Sequence, residues 1–290
     1  MPVNKNRRQF LKGLTLASLL GQTLSMKKSY AEDIAQNKLQ LKGNIKQSVA
    51  YGNFRSIPLD VFVRHCKELG LVGIDLVNPD EWETVMKGGL IVTISRAPGI
   101  SASENLNRVE YHDKVKKVYD ELIPLAGQAG VKNMICFSGN RFGVTEEESM
   151  ENYIVGIKRI LPLAEKNNVT LHLELLSHDN YQADHSRWGC ELARRVGSSH
   201  FKILYDIFHM QKMEGNLINN IKKYRDVIGH YHTAGLPGRM DLDDNQEIYY
   251  PAVMKAILTT NFKGFVAHEF APKKENKIES LRDSVLVCDV

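Results

Sequence analysis

Short apolar runs and longer amphipathic stretches alternate along the chain from residue 45 onward. The runs are Ile45-Lys-Gln-Ser-Val-Ala50, Val72-Gly-Ile-Asp-Leu-Val77, Leu90-Ile-Val-Thr-Ile-Ser95, Asn133-Met-Ile-Cys-Phe-Ser138, Val169-Thr-Leu-His-Leu-Glu174, Phe201-Lys-Ile-Leu-Tyr-Asp206, Ile228-Gly-His-Tyr-His232 and Gly264-Phe-Val-Ala-His-Glu269. Each has the length and the β-branched or aromatic content of a buried strand. Between them lie stretches such as Leu59-Asp-Val-Phe-Val-Arg-His-Cys-Lys-Glu-Leu69, whose apolar residues recur three and four apart as on one face of a helix. Gly70, Gly130 and Gly197 follow such stretches where a helix C-terminus favours glycine. Eight strand–helix repeats predict a parallel sheet, and eight is the number that closes into a (β/α)8 TIM barrel. An open doubly wound sheet fits the alternation less well, and no Gly-x-Gly-x-x-Gly follows any run. The Gly-, Pro- and Asp-rich segment 235–251 is expected to be a long loop over the barrel mouth.

The first residues break this pattern. Asn6-Arg-Arg-Gln-Phe-Leu-Lys12 is a twin-arginine motif, followed by a moderately apolar stretch over 13–24 and by Ser29-Tyr-Ala31 as a small-x-small cleavage site. The apolar stretch is too short for a stable membrane anchor. Residues 1–31 are therefore expected to be a signal peptide, residues 32–290 a single barrel domain with a polar leader over 32–40, and the site of action periplasmic or otherwise exported. The six Lys and Arg of the signal outweigh the whole-chain net charge of +4, which leaves the mature chain at −2. The basic balance belongs to the leader and gives no support to nucleic-acid binding. Cys66, Cys136, Cys190 and Cys288 lack CxxC spacing, and their expected positions favour buried thiols over disulfides.

Charge placement carries the chemistry. Glu174, Asp206, His232 and Glu269 each close one of the last four strands. An unpaired carboxylate in an apolar interior is costly, yet three of them and an imidazole converge where such barrels keep their active sites. A divalent cation reconciles them. The mostly oxygen donor set favours Mg2+ or Mn2+, the imidazole admits Co2+, and HExxH is absent. Such a cation, chelating a hydroxy-carbonyl compound, would acidify the carbon between the two oxygens and stabilise an enediolate, with a neighbouring carboxylate carrying the proton. His209, just past a strand end, is placed either to donate to the substrate or to serve as a structural histidine. Arg239 can hold a carboxylate or sugar hydroxyl, or simply be a solvated loop arginine. Trp82, Trp188 and Phe54 are pocket or core residues, and His172, His230 and His268 are expected against the barrel wall or behind the site.

Tyr205-Asp-Ile-Phe-His-Met-Gln-Lys-Met-Glu-Gly-Asn-Leu217, His230-Tyr-His-Thr-Ala-Gly-Leu-Pro-Gly-Arg239, Glu247-Ile-Tyr-Tyr-Pro251 and Glu269 resemble the hydroxypyruvate isomerase family, within the xylose isomerase-like barrels. Ala97-Pro-Gly99 and Arg108 echo the same family around its third strand, and Arg108 joins His209 and Arg239 as a substrate-binding candidate. The resemblance implies a metal-dependent aldose–ketose type isomerisation, with Glu174 and Glu269 as catalytic carboxylates that also touch the metal, and Asp206 and residue 232 completing its coordination. Two features depart from the family. Hydroxypyruvate isomerases tend to have Gln at the position of His232, and the Glu–Asp–His–Glu set is similar to that of the ketose 3-epimerases. An export signal is also unexpected for an enzyme of a cytoplasmic metabolite. Epimerisation or sugar-acid dehydration at the same site is the alternative. Phosphodiester hydrolysis would need a His-rich, multinuclear site, and a non-catalytic sugar-binding barrel would need its glutamates broken. The implied partner is a small-molecule substrate, and a homo-oligomer is left open.

Overall fold

The first and last strands of the barrel lie side by side, Gln47, Ser48 and Val49 pairing with Val266, Ala267 and His268. The computed structural model describes residues 39–177 and 180–290, of which 41–290 form one compact unit. The leader expected over 1–31 lies outside the described residues. The eight strands are β1 (Gln47–Ala50), β2 (Gly73–Val77), β3 (Ile91–Ser95), β4 (Asn133–Cys136), β5 (Thr170–Glu174), β6 (Phe201–Asp206), β7 (Ile228–Thr233) and β8 (Phe265–His268). They pair in chain order, all parallel, and close into a barrel, the predicted (β/α)8 fold. Closure leaves no open edge, and helices cover the outer face. The strands are therefore buried on both sides and read as nearly continuous apolar runs.

The helices form where the spacing predicts them. In α1 (Leu59–Glu68), Phe62, Val63 and Cys66 are buried. The eighteen-residue α3 (His112–Ala129), which follows the short α2 (Trp82–Lys87), ends at Gly130 with φ 80°. A φ of that sign is free of Cβ strain only for glycine. Two connections hold a pair of helices each: α4 (Glu146–Lys158) with α5 (Leu161–Lys166) before β5, and, after the single α6 (Ser186–Val196) that links β5 to β6, α7 (Ile207–Met213) with α8 (Leu217–Lys223) before β7. The sequence pattern shows each pair only as one helical stretch. The barrel finishes with α9 (Tyr250–Thr259) and α10 (Lys277–Cys288).

Two details position the site. An apolar floor of Ala50, Leu76, Ile94, Ile135 and Leu204, with Phe137 against it, fills the upper barrel interior. The connection from β7 to α9 is the expected loop, though it ends at Tyr249, because Tyr250 starts the helix and Pro251 fits its first turn. It folds back on itself through a bridge between Gly235 and Met240, which carries Arg239 to the barrel mouth. All four cysteines are buried and unpaired, and Phe54 and Trp82 are core residues.

Candidate metal centre

Side chains alternate between the two faces of a strand, so His172 shares the barrel interior with Glu174, Leu204 with Asp206, and His230 with His232. Glu174 and Asp206 are the last residues of β5 and β6, His232 is one short of the end of β7, and Glu269 follows β8 directly. The ladder still holds Glu269 in place, its N–H donating to the Thr233 carbonyl at 2.9 Å. Ligand atoms from these four residues all lie within 4.8 Å of one another. His232 Nδ1 is 2.8 Å from Glu269 Oε2, 3.3 Å from Glu174 Oε1 and 4.0 Å from Asp206 Oδ2. That nitrogen is fully buried and makes no hydrogen bond.

Arg239 and His209 complete the cluster. Arg239 Nη2 donates to Asp206 Oδ2 at 3.0 Å and to Glu269 Oε2 at 2.6 Å, and its guanidinium lies over the Phe208 ring. Its Nη1 donates to His209 Nε2 at 2.5 Å. Burial pushes His209 down, so the ring is neutral, and its other nitrogen, Nδ1, is 2.6 Å from Ser177 Oγ. Because an arginine can only donate, the His209 proton sits on Nδ1 and points to Ser177. Asp206 also caps α7, its Oδ1 accepting from the His209 N–H at 3.1 Å.

The two glutamates are held differently. Burial, reinforced by the charge of Glu269, pushes the Glu174 carboxyl up. Burial acts on Glu269 in the same sense, but His232 and Arg239 outweigh it and bring that carboxyl down to about 2. Against burial, the same carboxylates, Glu269 foremost, hold the His232 imidazole well above its ordinary range, so three carboxylates face a guanidinium and an imidazolium whose Nδ1 proton a divalent cation would displace. With that proton displaced, the buried Nδ1 lone pair among carboxylate oxygens is the position such an ion would satisfy, so the residues present fit a divalent metal with hard, oxygen-preferring character.

A cavity of about 260 Å³ opens above the cluster, walled by Leu76, Asn78, Arg96, Phe137, Glu174 and Glu269 among others. Arg108 is not part of that wall; it starts the turn over Val109–Tyr111 and pairs with Glu110 at 3.4 Å. Arg96 occupies the mouth instead, and sequence reasoning missed it because it follows β3 as an ordinary polar residue. Trp188 lines a different, larger cavity of about 560 Å³ with Arg141, Gln182 and Asp184, which holds none of the four donors.

Asp75 was also missed. It sits fully buried in mid-β2 beneath the site, its Oδ2 2.8 Å from His232 Nε2 and 3.1 Å from His230 Nε2. The signal was the one that marked Glu174, Asp206 and Glu269, an acid within an apolar run. His172 joins this inner layer through Asn133 Oδ1 at 3.0 Å. His268 faces outward, bonded to Thr233 Oγ1 at 3.0 Å and Gln47 Oε1 at 2.9 Å.

Residues 60–286 match the profile of the xylose isomerase-like TIM barrel family. Hydroxypyruvate isomerase of Escherichia coli (strain K12) is 30% identical over 155 residues, covering 52% of this chain and 60% of that protein. The 2-oxo-tetronate isomerase of Cupriavidus necator is 29% identical over 85 residues, 29% of this chain and 32% of that protein. The chain thus spans 60% or less of the length of these curated relatives. Among solved structures, 3-keto-D-glucoside 4-epimerase from E. coli superposes with a TM-score of 0.71 at 18% identity, over 83% of this chain and 98% of that one. At that identity the likeness is one of fold.

Proposed function

Because the chain belongs to the xylose isomerase-like TIM barrel family, we propose that it is a divalent-cation-dependent isomerase of a small hydroxy-carbonyl acid, of the kind the hydroxypyruvate and 2-oxo-tetronate isomerases act on. The observation that carries this reading is the buried convergence of Glu174, Asp206, His232 and Glu269 within 4.8 Å. These four residues would hold the ion, with Mg2+ or Mn2+ preferred and Co2+ accepted. When bound, the ion supplies Lewis acidity that polarises a carbonyl oxygen.

The chain's own residues do the rest. Glu174 and Glu269 face the cavity from β5 and from just past β8, with β6 and β7 between them. Glu174, pushed up by burial, is the readier of the two to hold a proton, while Glu269, held near 2, is the ionised acceptor. Two carboxyls whose environments separate them in this way divide acid and base roles. One removes a proton from the hydroxyl-bearing carbon beside the carbonyl, giving an enediolate, and the other returns a proton to the former carbonyl carbon while the hydroxyl proton passes to the former carbonyl oxygen, which leaves the new carbonyl on the neighbouring carbon. Arg239 and, at the mouth, Arg96 supply positive charge for a substrate carboxylate. His209, neutral and fixed by Ser177, orients Arg239. The cavity of about 260 Å³ lies just below the roughly 300–1,000 Å³ that suits drug-sized ligands, which favours a short-chain substrate over a sugar ring with extensions.

Epimerisation of a ketose at the same carbon is the second reading, supported by His232 in a Glu–Asp–His–Glu set. Incubating the Mn2+-loaded protein in D2O with a panel of short 2-oxo acids and ketoses separates the two. Aldehyde–ketone interconversion of a 2-oxo acid with deuterium entering at carbon is the expected result. Turnover of ketoses alone would move the assignment to an epimerase, and inertness toward the whole panel would remove both. We also read residues 1–31 as a twin-arginine export signal, which would place the enzyme beyond the cytoplasmic membrane.

A further inference from the structure

We propose that Asp75 is a positioning residue for the cation centre: its carboxylate holds His232 with the Nε2 proton turned into the barrel and the Nδ1 lone pair presented to Glu174, Asp206 and Glu269. The inference rests on the cation reading of that cluster.

The geometry fixes the proton on Nε2. A carboxylate can only accept, and Asp75 Oδ2 lies 2.8 Å from His232 Nε2, so that nitrogen donates. In the neutral ring Nδ1 is then a bare lone pair. It is fully buried, has no hydrogen-bond partner, and lies 2.8 and 3.3 Å from carboxylate oxygens. A lone pair held against negative oxygens is unfavourable unless positive charge, a proton in the ion-free cluster or a cation when one binds, lies among them, and Asp75 enforces that orientation from below.

The surroundings fix Asp75 in turn. His230 Nε2 donates to the same Oδ2 at 3.1 Å, and the Thr93 hydroxyl donates to Oδ1, so the carboxylate cannot rotate. The pairing of β2 with β3 shifts register on both sides of Asp75, and the next residue, Leu76, has φ 53°. An irregularity of this kind re-aims a side chain, here into the barrel interior. Asp75, His230 and His232 also bring ligand atoms within 4.8 Å of one another. Both imidazoles, however, meet one oxygen at hydrogen-bond distance and Thr93 takes the other, so these groups satisfy each other and need no ion. A carboxylate behind a metal-binding imidazole fixes its tautomer and raises its basicity, and losing such a partner typically weakens metal binding about 10–100-fold.

The test is calorimetric titration of the full-length protein with Mn2+. Asp75→Asn should raise the Kd about 10–100-fold while the stoichiometry stays at one ion per chain. In a His232→Gln background the same substitution should change the Kd by no more than about twofold, because its effect passes through the imidazole. Equal affinity in wild type and Asp75→Asn would remove the positioning role alone, and so would an undiminished penalty in the His232→Gln background. Two ions in wild type and one in Asp75→Asn would make Asp75 a ligand instead. A wild-type protein that takes no Mn2+ would sink the cation reading and this role with it. Should Asp75→Asn fail to fold, the ring nitrogens of His232 in Mg2+-loaded wild type decide by 15N spectroscopy. A proton on Nε2 that exchanges slowly is expected, and one on Nδ1 overturns the proposal.

Discussion

Glu174 and Glu269 differ in surroundings more than in position. Glu174 is pushed up by burial, whereas Glu269 is drawn down to about 2 by His232 and Arg239 against that same burial. Each is expected to be indispensable. Replacing either by Gln should lower turnover by roughly 10²–10⁴-fold, the usual contribution of a positioned acid–base group, and should weaken ion binding as well. Steady-state rates at saturating Mn2+ check this; near-wild-type turnover in one variant would reduce that glutamate to a structural part. The four donors were legible in the sequence because a charge closing an apolar run has no ordinary structural use. Asp75 carried the same kind of signal but sat in the middle of its run, and only the tertiary pairing with a strand more than 150 residues away reveals its purpose. Arg96 carried no signal, since nothing local separates a mouth-lining arginine from a solvated one.

Among the elements, strands and helices followed their periodicities, and the misjudged details lie where a single residue redirects the chain. Pro251 looked like part of a loop but lies in the first turn of α9, which proline suits. The irregularity beside Leu76 is invisible in the pattern of β2 because it lies in the register with β3, which the residues of β2 alone do not specify. Helix α4 offers a clean test of local reasoning. Its Thr145 caps the N-terminus, the hydroxyl accepting from the Glu148 N–H, and Glu146, Glu147 and Glu148 occupy the first turn. Thr145→Ala should cost about 0.5–2 kcal/mol by denaturant unfolding, with Mn2+ affinity and turnover unchanged because the cap lies outside the cation cluster. A loss of ion binding in that variant would show that α4 is coupled to the barrel mouth.

For the whole molecule, the polar layer inside and around the barrel makes stability depend on pH. Burial holds His172 and His268 down to about 3, far below the ordinary value of about 6.5. Between those limits the unfolded chain binds protons that the folded chain refuses, so stability falls as pH drops below about 6.5, by up to about 1.4 kcal/mol per pH unit for each ring. Urea midpoints measured in chelator from pH 7.5 to 5 should show the decline. His268→Gln, which can still bond Thr233 and Gln47, should flatten it; an unchanged slope would assign the acid sensitivity to other groups. The proposed export is also tested at this scale. Substituting Lys for both Arg7 and Arg8 should leave the precursor in the cytoplasm, as seen by fractionation, and normal export of that variant would exclude the twin-arginine route.

The closing contact of the barrel, Gln47 to Val266 beside Val49 to His268, has a bearing on biosynthesis. Glu269 comes immediately after the last strand, so the donor set is incomplete until β8 has been made and has paired with β1. A nascent chain or a C-terminally clipped fragment cannot assemble the cluster, however well its earlier strands are made. Under the proposed function, ion capture would report on a closed barrel. In the export route proposed for this protein, which carries folded cargo, a bound ion would mark molecules that are ready to leave.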